Sequence, residues 1–420
     1  MAKINFKIFS TILAVSFSLS ACGSNVTETL PELETTDSQI STFATDSPTI
    51  IDQIKNSTLE QNEWGIAVRS LPNPGQPKKA TLLSYIAYDN DKGSYRDELR
   101  PTLNMHEMAG SNNLLNIVLQ TDSADSGDMK RYYVVNDNDQ SKIVSPYTKF
   151  KYERNSGDYR VLQAFTRWGF STYKSQLRLL DINNHGGAFR GIAKDDTSGG
   201  VISLPNLARA IQNSAGHVDL LNMDACLMGT MEVIYELKDL ADVFIGSEDS
   251  TLGTGMLYSK SLPDILAKSN NIEDIGRGII LASDRKGNDF NRRANKKGTV
   301  ASIFTISSFR TKAVKPLAME LNNLSKLLIS KLPTLKSAVK VAFSGTHPLV
   351  VDEDDSNGQR DLYEVLGRLN TVINDPAVKA QIAKTKNALS KTIILARIHN
   401  QEKYAQGLAI NISPESIMDS

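Results

Sequence analysis

The strongest constraint on this chain is a series of short apolar runs, each halted by turn-forming residues and separated from the next by helical spacing. ATLLSYIAYDND (80–91) and LLNIVLQTD (114–122) are near-continuous apolar runs, the pattern of strands buried on both faces of a parallel sheet. RYYVVND (131–137) is a third run of this kind, LRLLDINNHGG (177–187) a strand running into a glycine turn, and HVDLLNMDAC (217–226) and ADVFIGSED (241–249) two more. VLQAFTRWGFSTY (161–173) has helical spacing, SLPNLARAIQ (203–212) opens with a serine and a proline as helix starts do, and CLMGTMEVIYELKDL (226–240) reads as a helix beginning at the cysteine. Strands alternating with helices predict an α/β fold, a mainly parallel sheet flanked by helices. The rest adds a helix over 272–285, a strand over 299–307, a long helical stretch from about 309 to 342, and a closing strand in GLAINISPE (407–415).

The N-terminus carries a different signal. MAKINFKIFSTILAVSFSLSAC places Lys3 and Lys7 before an apolar run that ends in small residues at Cys22, the layout of an export signal over 1–21 and too short for a permanent span. LSAC (19–22) resembles a bacterial lipobox, which implies cleavage before Cys22 and acylation of its sulfur with chains such as palmitate. Each buried methylene would then contribute about 0.8 kcal/mol to a lipid anchor. Gly23 and Ser24 follow, with no aspartate at the position linked to inner-membrane retention. The expected location is the bacterial cell envelope, the outer membrane if the cell is Gram-negative. Residues 22–60, rich in Thr, Ser, Asp and Glu, read as a flexible tether, 61–310 as the main domain and 311–420 as a helix-rich subdomain. Lys+Arg and Asp+Glu stand at 47 each, so nothing points to nucleic acid, and a monomer is expected.

The chain has two cysteines. If Cys22 carries lipid, Cys226 has no intrachain partner for a disulfide. Without CxxC or HxxxH spacing it has no zinc partners either. A buried hydrophobe or a reactive thiol remain. In parallel sheets, sites form beyond the carboxyl ends of strands. Two such ends carry His185 and Cys226, and a Cys–His pair is a mechanism because an imidazole raises the population of the attacking thiolate. The glycines after His185 would let backbone N–H groups approach a substrate, and a helix starting after Cys226 would add its dipole to the thiolate.

NHGG (184–187) and DACLMGTMEVIYEL (224–237) resemble the two active-site motifs of the clostripain-like cysteine peptidases, which share the caspase-like fold. SYIAYDND (84–91), SEDSTLGTG (247–255) and GLAINISP (407–414) are similar to further segments, so the resemblance spans roughly 80–415. It implies His185 as proton carrier, Cys226 as nucleophile, and the Gly186 and Cys226 N–H groups as oxyanion donors. Asp224 would match the acid that selects a basic P1 residue, its bland alternative being a helix cap. The implied reaction is hydrolysis of peptides and proteins after Arg or Lys through a thioester, with no cofactor in the chemistry. Departures are Ala188 in place of a third glycine, Asp181-Ile182-Asn183-Asn184 where an apolar strand end is expected, and Leu252 and Met256 in the post-cysteine loop. Relatives are often self-processed between the two strands, and FRGIAKDDTSGG (189–200), read as a flexible loop, offers Arg190 and Lys194. Several relatives use calcium. EDDSNGQRDLYE (353–364) nearly fits an EF-hand loop, with Glu353, Asp355, Asn357 and Glu364 as ligands, so it is the candidate calcium site, Asp89 and Asp91 being a weaker one. The competing expectation is a catalytically weak lipoprotein using the fold as a binding module.

Overall fold

Strand β1 (Lys78–Tyr88) forms from a run in which every residue from Ala80 onward is buried, polar Thr81 and Ser84 included. The computed structural model describes residues 71–72, 75–90, 99–124, 129–249, 251, 259–296, 304–349, 358–399 and 404–412. After β1 come helix α1 (Arg100–Glu107), the wholly buried β2 (Leu115–Ser123), and short β3 (Lys130–Tyr133) and β4 (Tyr147–Lys149). Helix α2 (Tyr159–Thr172), capped by the Asp158 side chain on the Arg160 N–H, precedes β5 (Ser175–Asn183). A hairpin of β6 (Ile192–Asp195) and β7 (Gly200–Ile202) leads to α3 (Leu204–Ser214), β8 (Val218–Asp224), α4 (Met231–Leu237) and β9 (Ala241–Gly246). Then follow α5 (Leu262–Lys268), α6 (Ile272–Lys296), β10 (Phe304–Arg310), α7 (Val314–Ser330) and α8 (Leu332–Ser344). The described chain closes with β11 (Gln359–Asp361), α9 (Leu362–Val372), α10 (Pro376–Thr392), β12 (Ile393–His399) and β13 (Ala409–Asn411).

Nine strands form one sheet in the order β12-β10-β9-β8-β5-β1-β2-β3-β4. The five central ones, β9, β8, β5, β1 and β2, are mutually parallel, and both edges are antiparallel. One face packs Leu83, Leu180 and Leu221 under α2, α3, α4, α7, α9 and α10. The other packs Leu82, Leu179 and Leu220 under α1, α5 and α6. Each fully buried aliphatic side chain contributes about 1.5–3 kcal/mol, so this double cover is what holds the parallel core. The chain order reverses between β1 and β5, since β1 is followed by β2 on one side and by β5 on the other, and this places a crevice at their carboxyl ends.

Several expectations shift. The run at 131–137 is strand only to Tyr133 and is antiparallel. The helical stretch at 309–342 divides at Lys331, because Pro333 starts a new helix and cannot continue the old one. The loop at 189–200 is a hairpin preceded by a 3₁₀ turn, Ala188–Arg190, and is not open. Within the stretch expected as a helix-rich subdomain, β12 pairs with β10 in the main sheet, and Leu317, Leu366 and Leu389 share one core with Phe244. Among the described residues no helix is long and apolar enough to cross a membrane. The signal, the tether and Cys22 lie outside the described residues.

Candidate active site

His185 and Cys226 stand two residues beyond the last registered pair of neighbouring strands, Asn183 of β5 opposite Asp224 of β8. The pairing itself therefore carries both side chains to one end of the sheet. Their loops are in contact: a Cβ added to Gly186 would collide with the Cys226 carbonyl oxygen and lie 2.9 Å from Met228 Cγ and 3.0 Å from Ala225 Cβ. Only glycine permits this approach. The histidine loop is pinned by Asn184, whose Nδ2 donates to the Ala87 carbonyl and at 3.3 Å to that of Lys194, while its Oδ1 accepts from the His185 N–H. His185 is exposed and Cys226 half-buried.

The cysteine loop turns back at once, because Leu227 adopts a left-handed φ of 64°. That conformation is unusual for a residue with a branched side chain, and it is held by Leu227 N–H donating to the Asp249 carbonyl at 3.0 Å and Gly229 N–H to that of Ser247 at 2.6 Å. Helix α4 begins only at Met231, capped by Thr230, so the expectation of a helix starting at Cys226 and stabilising the thiolate through its dipole is overturned. The sulfur is supported otherwise. Thr251 N–H donates to Cys226 Sγ at 3.3 Å, with Thr251 Oγ1 3.9 Å away. Sequence reasoning passed over Thr251, although its loop was matched. Among the described residues, the N–H groups of Gly186 and Cys226 make no hydrogen bond to a backbone carbonyl.

Asp224 is half-buried at the end of β8, and its Oδ2 accepts from Asn183 Nδ2 at 2.8 Å. It is strand, seven residues ahead of α4, and caps no helix. Below it Asp181 is fully buried, and burial, then the negative charge of Asp224, raise its carboxyl well above the usual range. Asn183 was missed as a site residue; its register opposite Asp224 is invisible without the sheet.

The processing candidates are ordered. Arg190 is exposed on the 3₁₀ turn, with its N–H bonded to the Gly187 carbonyl at 3.0 Å. Lys194 lies in β6 with Nζ 2.7 Å from Asp196, and its carbonyl accepts from Asn90 Nδ2 at 2.9 Å. Glu353, Asp355 and Asn357 fall outside the described residues. The rest of that stretch takes other partners: Gln359–Asp361 pairs with β13, and Glu364 Oε1 lies 2.6 Å from His347 Nδ1. A different cluster suits a hard cation. Buried carboxylates of Asp89, Asp122 and Asp195 lie within 4.8 Å of one another at the ends of β1, β2 and β6, and burial pushes the Asp89 carboxyl up to about 6 against a hydrogen bond from Thr197.

Comparison with known proteins agrees with this arrangement. The model of the clostripain family, the C11 peptidases, matches residues 84–413. Clostripain of Hathewaya histolytica is 26% identical over 248 residues, 50% of this chain and 47% of that protein, so the chain spans about half the length of the curated relative it matches. A secreted C11 cysteine protease from Bacteroides thetaiotaomicron, solved with an irreversible peptide inhibitor, superposes with a TM-score of 0.58 at 17% identity, covering 80% of this chain and 93% of that one. An inactive zymogen C11 protease from Parabacteroides distasonis gives 0.58 at 18% identity, covering 82% and 94%. These likenesses carry the caspase-like fold. With the motifs standing at the expected strand ends and the family model covering most of the chain, this protein belongs to the clostripain family.

Proposed function

We propose that the chain is a cysteine endopeptidase that cleaves after Arg or Lys, anchored by lipid at the bacterial envelope. The observation that carries it is the meeting of the His185 and Cys226 loops at the ends of paired strands, with Gly186 packed on the cysteine backbone. In this reading His185 takes the Cys226 proton, and the thiolate attacks the scissile carbonyl carbon. The carbonyl oxygen becomes an oxyanion held by the N–H groups of Gly186 and Cys226. Collapse breaks the C–N bond, His185 returns its proton to the leaving amine, and the acyl group remains as a thioester. Water, deprotonated by His185, then releases the acid and the thiol. Asp224 offers a carboxylate to a basic P1 side chain, in a partly desolvated contact that is stronger than its surface equivalent.

No step passes through a metal. Calcium, if used, fits Asp89, Asp122 and Asp195, where it would offset the mutual repulsion of three buried carboxylates and brace the strand ends beside the histidine loop. Self-processing at Arg190 or Lys194 would need local opening, since both peptide segments are hydrogen-bonded. The anchor rests on the Cys22 motif alone, and transfer of a Cys22→Ser chain from the membrane to the soluble fraction tests it.

The activity is tested with fluorogenic peptides ending in Arg, Lys or Asp, with and without calcium, beside a Cys226→Ala control. Hydrolysis after basic residues that vanishes in the control is expected. Silence from a folded chain would turn the reading to a binding module.

A further inference from the structure

Charge is balanced over the whole chain, with 47 basic and 47 acidic residues, but it is not evenly placed. Helices α7 and α10 and the turn before α7, residues 311–330 and 376–392, hold seven lysines against one acid, Glu320. Lys312, Lys315, Lys326, Lys384 and Lys391 are exposed. Two acids of this corner are engaged: Glu273 with Arg310 at 2.7 Å and Lys312 at 3.4 Å, and Glu320 Oε2 with Gln381 Nε2 at 2.6 Å. The two helices therefore present a surface of net positive charge.

Register places that surface. Strand β10 is antiparallel to β9, so its end, Arg310 opposite Val243, lies toward the amino ends of the parallel strands. There Thr311 Oγ1 donates to the carbonyl of Ala241, the first residue of β9, at 2.6 Å, and Arg310 Nη1 donates to the carbonyl of Lys391. The start of α7 and the end of α10 thus meet at the amino end of the sheet. Between them runs a groove of about 460 Å³, walled by Ala313, Pro316, Met319 and Ala388 with Lys384 and Lys391. Met319 is 50% exposed. His185 and Cys226 stand at the opposite, carboxyl end, about 30 Å away along the nine residues of β5. The sequence leading from Cys22 joins the described chain at the basic end: Leu71 packs on the core, and the Pro72 carbonyl accepts from Tyr173 Oη at 3.4 Å, just ahead of β5.

We propose that this basic corner is a docking surface for an anionic phospholipid bilayer, which lays the amino end of the sheet on the membrane and turns the Cys226 site away from it. The inference deepens, and rests on, the reading of Cys22 as a lipid anchor. Ammonium groups are drawn to the phosphates of an anionic leaflet, and the attraction fades within a Debye length. Only a face brought to the surface profits from it, and the face beside the chain entry is the one an anchor at Cys22 brings there. Lysine stems and Met319 supply apolar contact at headgroup depth. An acidic protein would match the same charge, but nothing about it would favour the end of the sheet at which the anchored segment enters.

The test sediments the chain from residue 22 onward, carrying Cys22→Ser and so no acyl group, with vesicles of phosphatidylcholine, with and without phosphatidylglycerol. Binding only to the anionic vesicles, weakening as salt rises, is expected. Joint replacement of Lys315, Lys384 and Lys391 by Glu should lower partitioning by at least about 10²-fold and leave hydrolysis of a small peptide unchanged. Labelling by acetic anhydride reads the orientation without any variant of the face. Anionic vesicles should slow the reaction of Lys315, Lys384 and Lys391 severalfold, and that of Lys194, beside the histidine loop, should not change. Equal binding to neutral vesicles, an unaltered triple variant, or protection of Lys194 instead would overturn the proposal. Protection of the three lysines before vesicles are added, as an acidic stretch of the chain itself would give, would overturn it too. Salt separates this inference from the anchor. If a high-salt wash strips the natural chain from cell membranes, the anchor reading falls; if the chain resists the wash while its Cys22→Ser form ignores anionic vesicles, the docking surface alone falls.

Discussion

Two pairs of acidic side chains flank the cysteine loop, and they are built in opposite ways. Asp181 and Asp224 lie toward the carboxyl ends of β5 and β8, Asp181 fully buried and Asp224 half-buried. Glu248 and Asp361 lie behind the loop, 0% and 1% exposed, where the segment after β9 meets the C-terminal part of the chain. Burial first, and then the charge of Asp361, push the Glu248 carboxyl well up, and burial lifts Asp361 to about 6. Backbone N–H groups converge on this second pair: Gly407 donates to Glu248 Oε1 at 2.5 Å, Glu364 to Asp361 Oδ1 at 2.8 Å and Gln406 to Asp361 Oδ2 at 2.8 Å. In the first pair only Asp181 is sealed, while Asp224 is half-buried. The second has no open side: burial holds both carboxyls above their usual range, and the N–H groups of Gln406 and Gly407 bond to them behind the cysteine loop. What the same residue type can do depends on whether water can reach it.

The comparison breaks most severely at the site itself. Cys226→Ala removes the thiol that the proposed thioester needs, and turnover should fall by at least about 10³-fold in initial-rate assays; a smaller loss would mean that another residue does the chemistry. Asp224→Asn keeps the shape and deletes the charge, so kcat/KM for basic P1 peptides should drop about 10²-fold while that for a neutral P1 peptide holds. An equal drop for both would assign Asp224 to structure, like the second pair.

The second pair should show itself in stability. The folded chain holds a proton on Asp361 that an unfolded chain releases near the ordinary value of 3.8, so this contribution is complete below that value and is lost as pH rises through about 6. Asp361→Asn, which preserves the cap on α9, should flatten the fall in denaturant midpoint across this interval, an effect on the order of 3 kcal/mol. An unchanged slope would show that the pair does not carry the linkage. Smallest of all, Ala188→Gly should stabilise by about 0.5 kcal/mol, because Ala188 sits at a φ of 53° where glycine meets no steric penalty; loss of stability in thermal melts would contradict that.

Much of the fold was legible in the residues. The runs at 80–91, 114–122, 177–187, 217–226 and 241–249 became the five parallel strands, because continuous burial on both faces demands unbroken apolar sequence. The same runs also ended close to His185 and Cys226, which lie two residues past the ends of β5 and β8, since polar and glycine residues stop strands where loops must begin. What misled were local patterns with a competing tertiary solution. CLMGTM has helical spacing, but Leu227 and Gly229 are drawn into backbone bonds with the segment that follows β9, and the helix starts later. FRGIAKDDTSGG looks like an open loop, yet Asn184 and Asp89 tie it to the sheet as a hairpin.

By itself, then, the sequence determined the strand and helix alternation, the motif pair His185 and Cys226, and the acid at 224. All three are stated by residues close together in the chain. Only the tertiary structure decided which strands are neighbours, and with that the support of Cys226 by Thr251, the bond from Asn183 to Asp224, and the sealing of Glu248 against Asp361. Each of these joins residues far apart in sequence, through register and burial that no local pattern encodes.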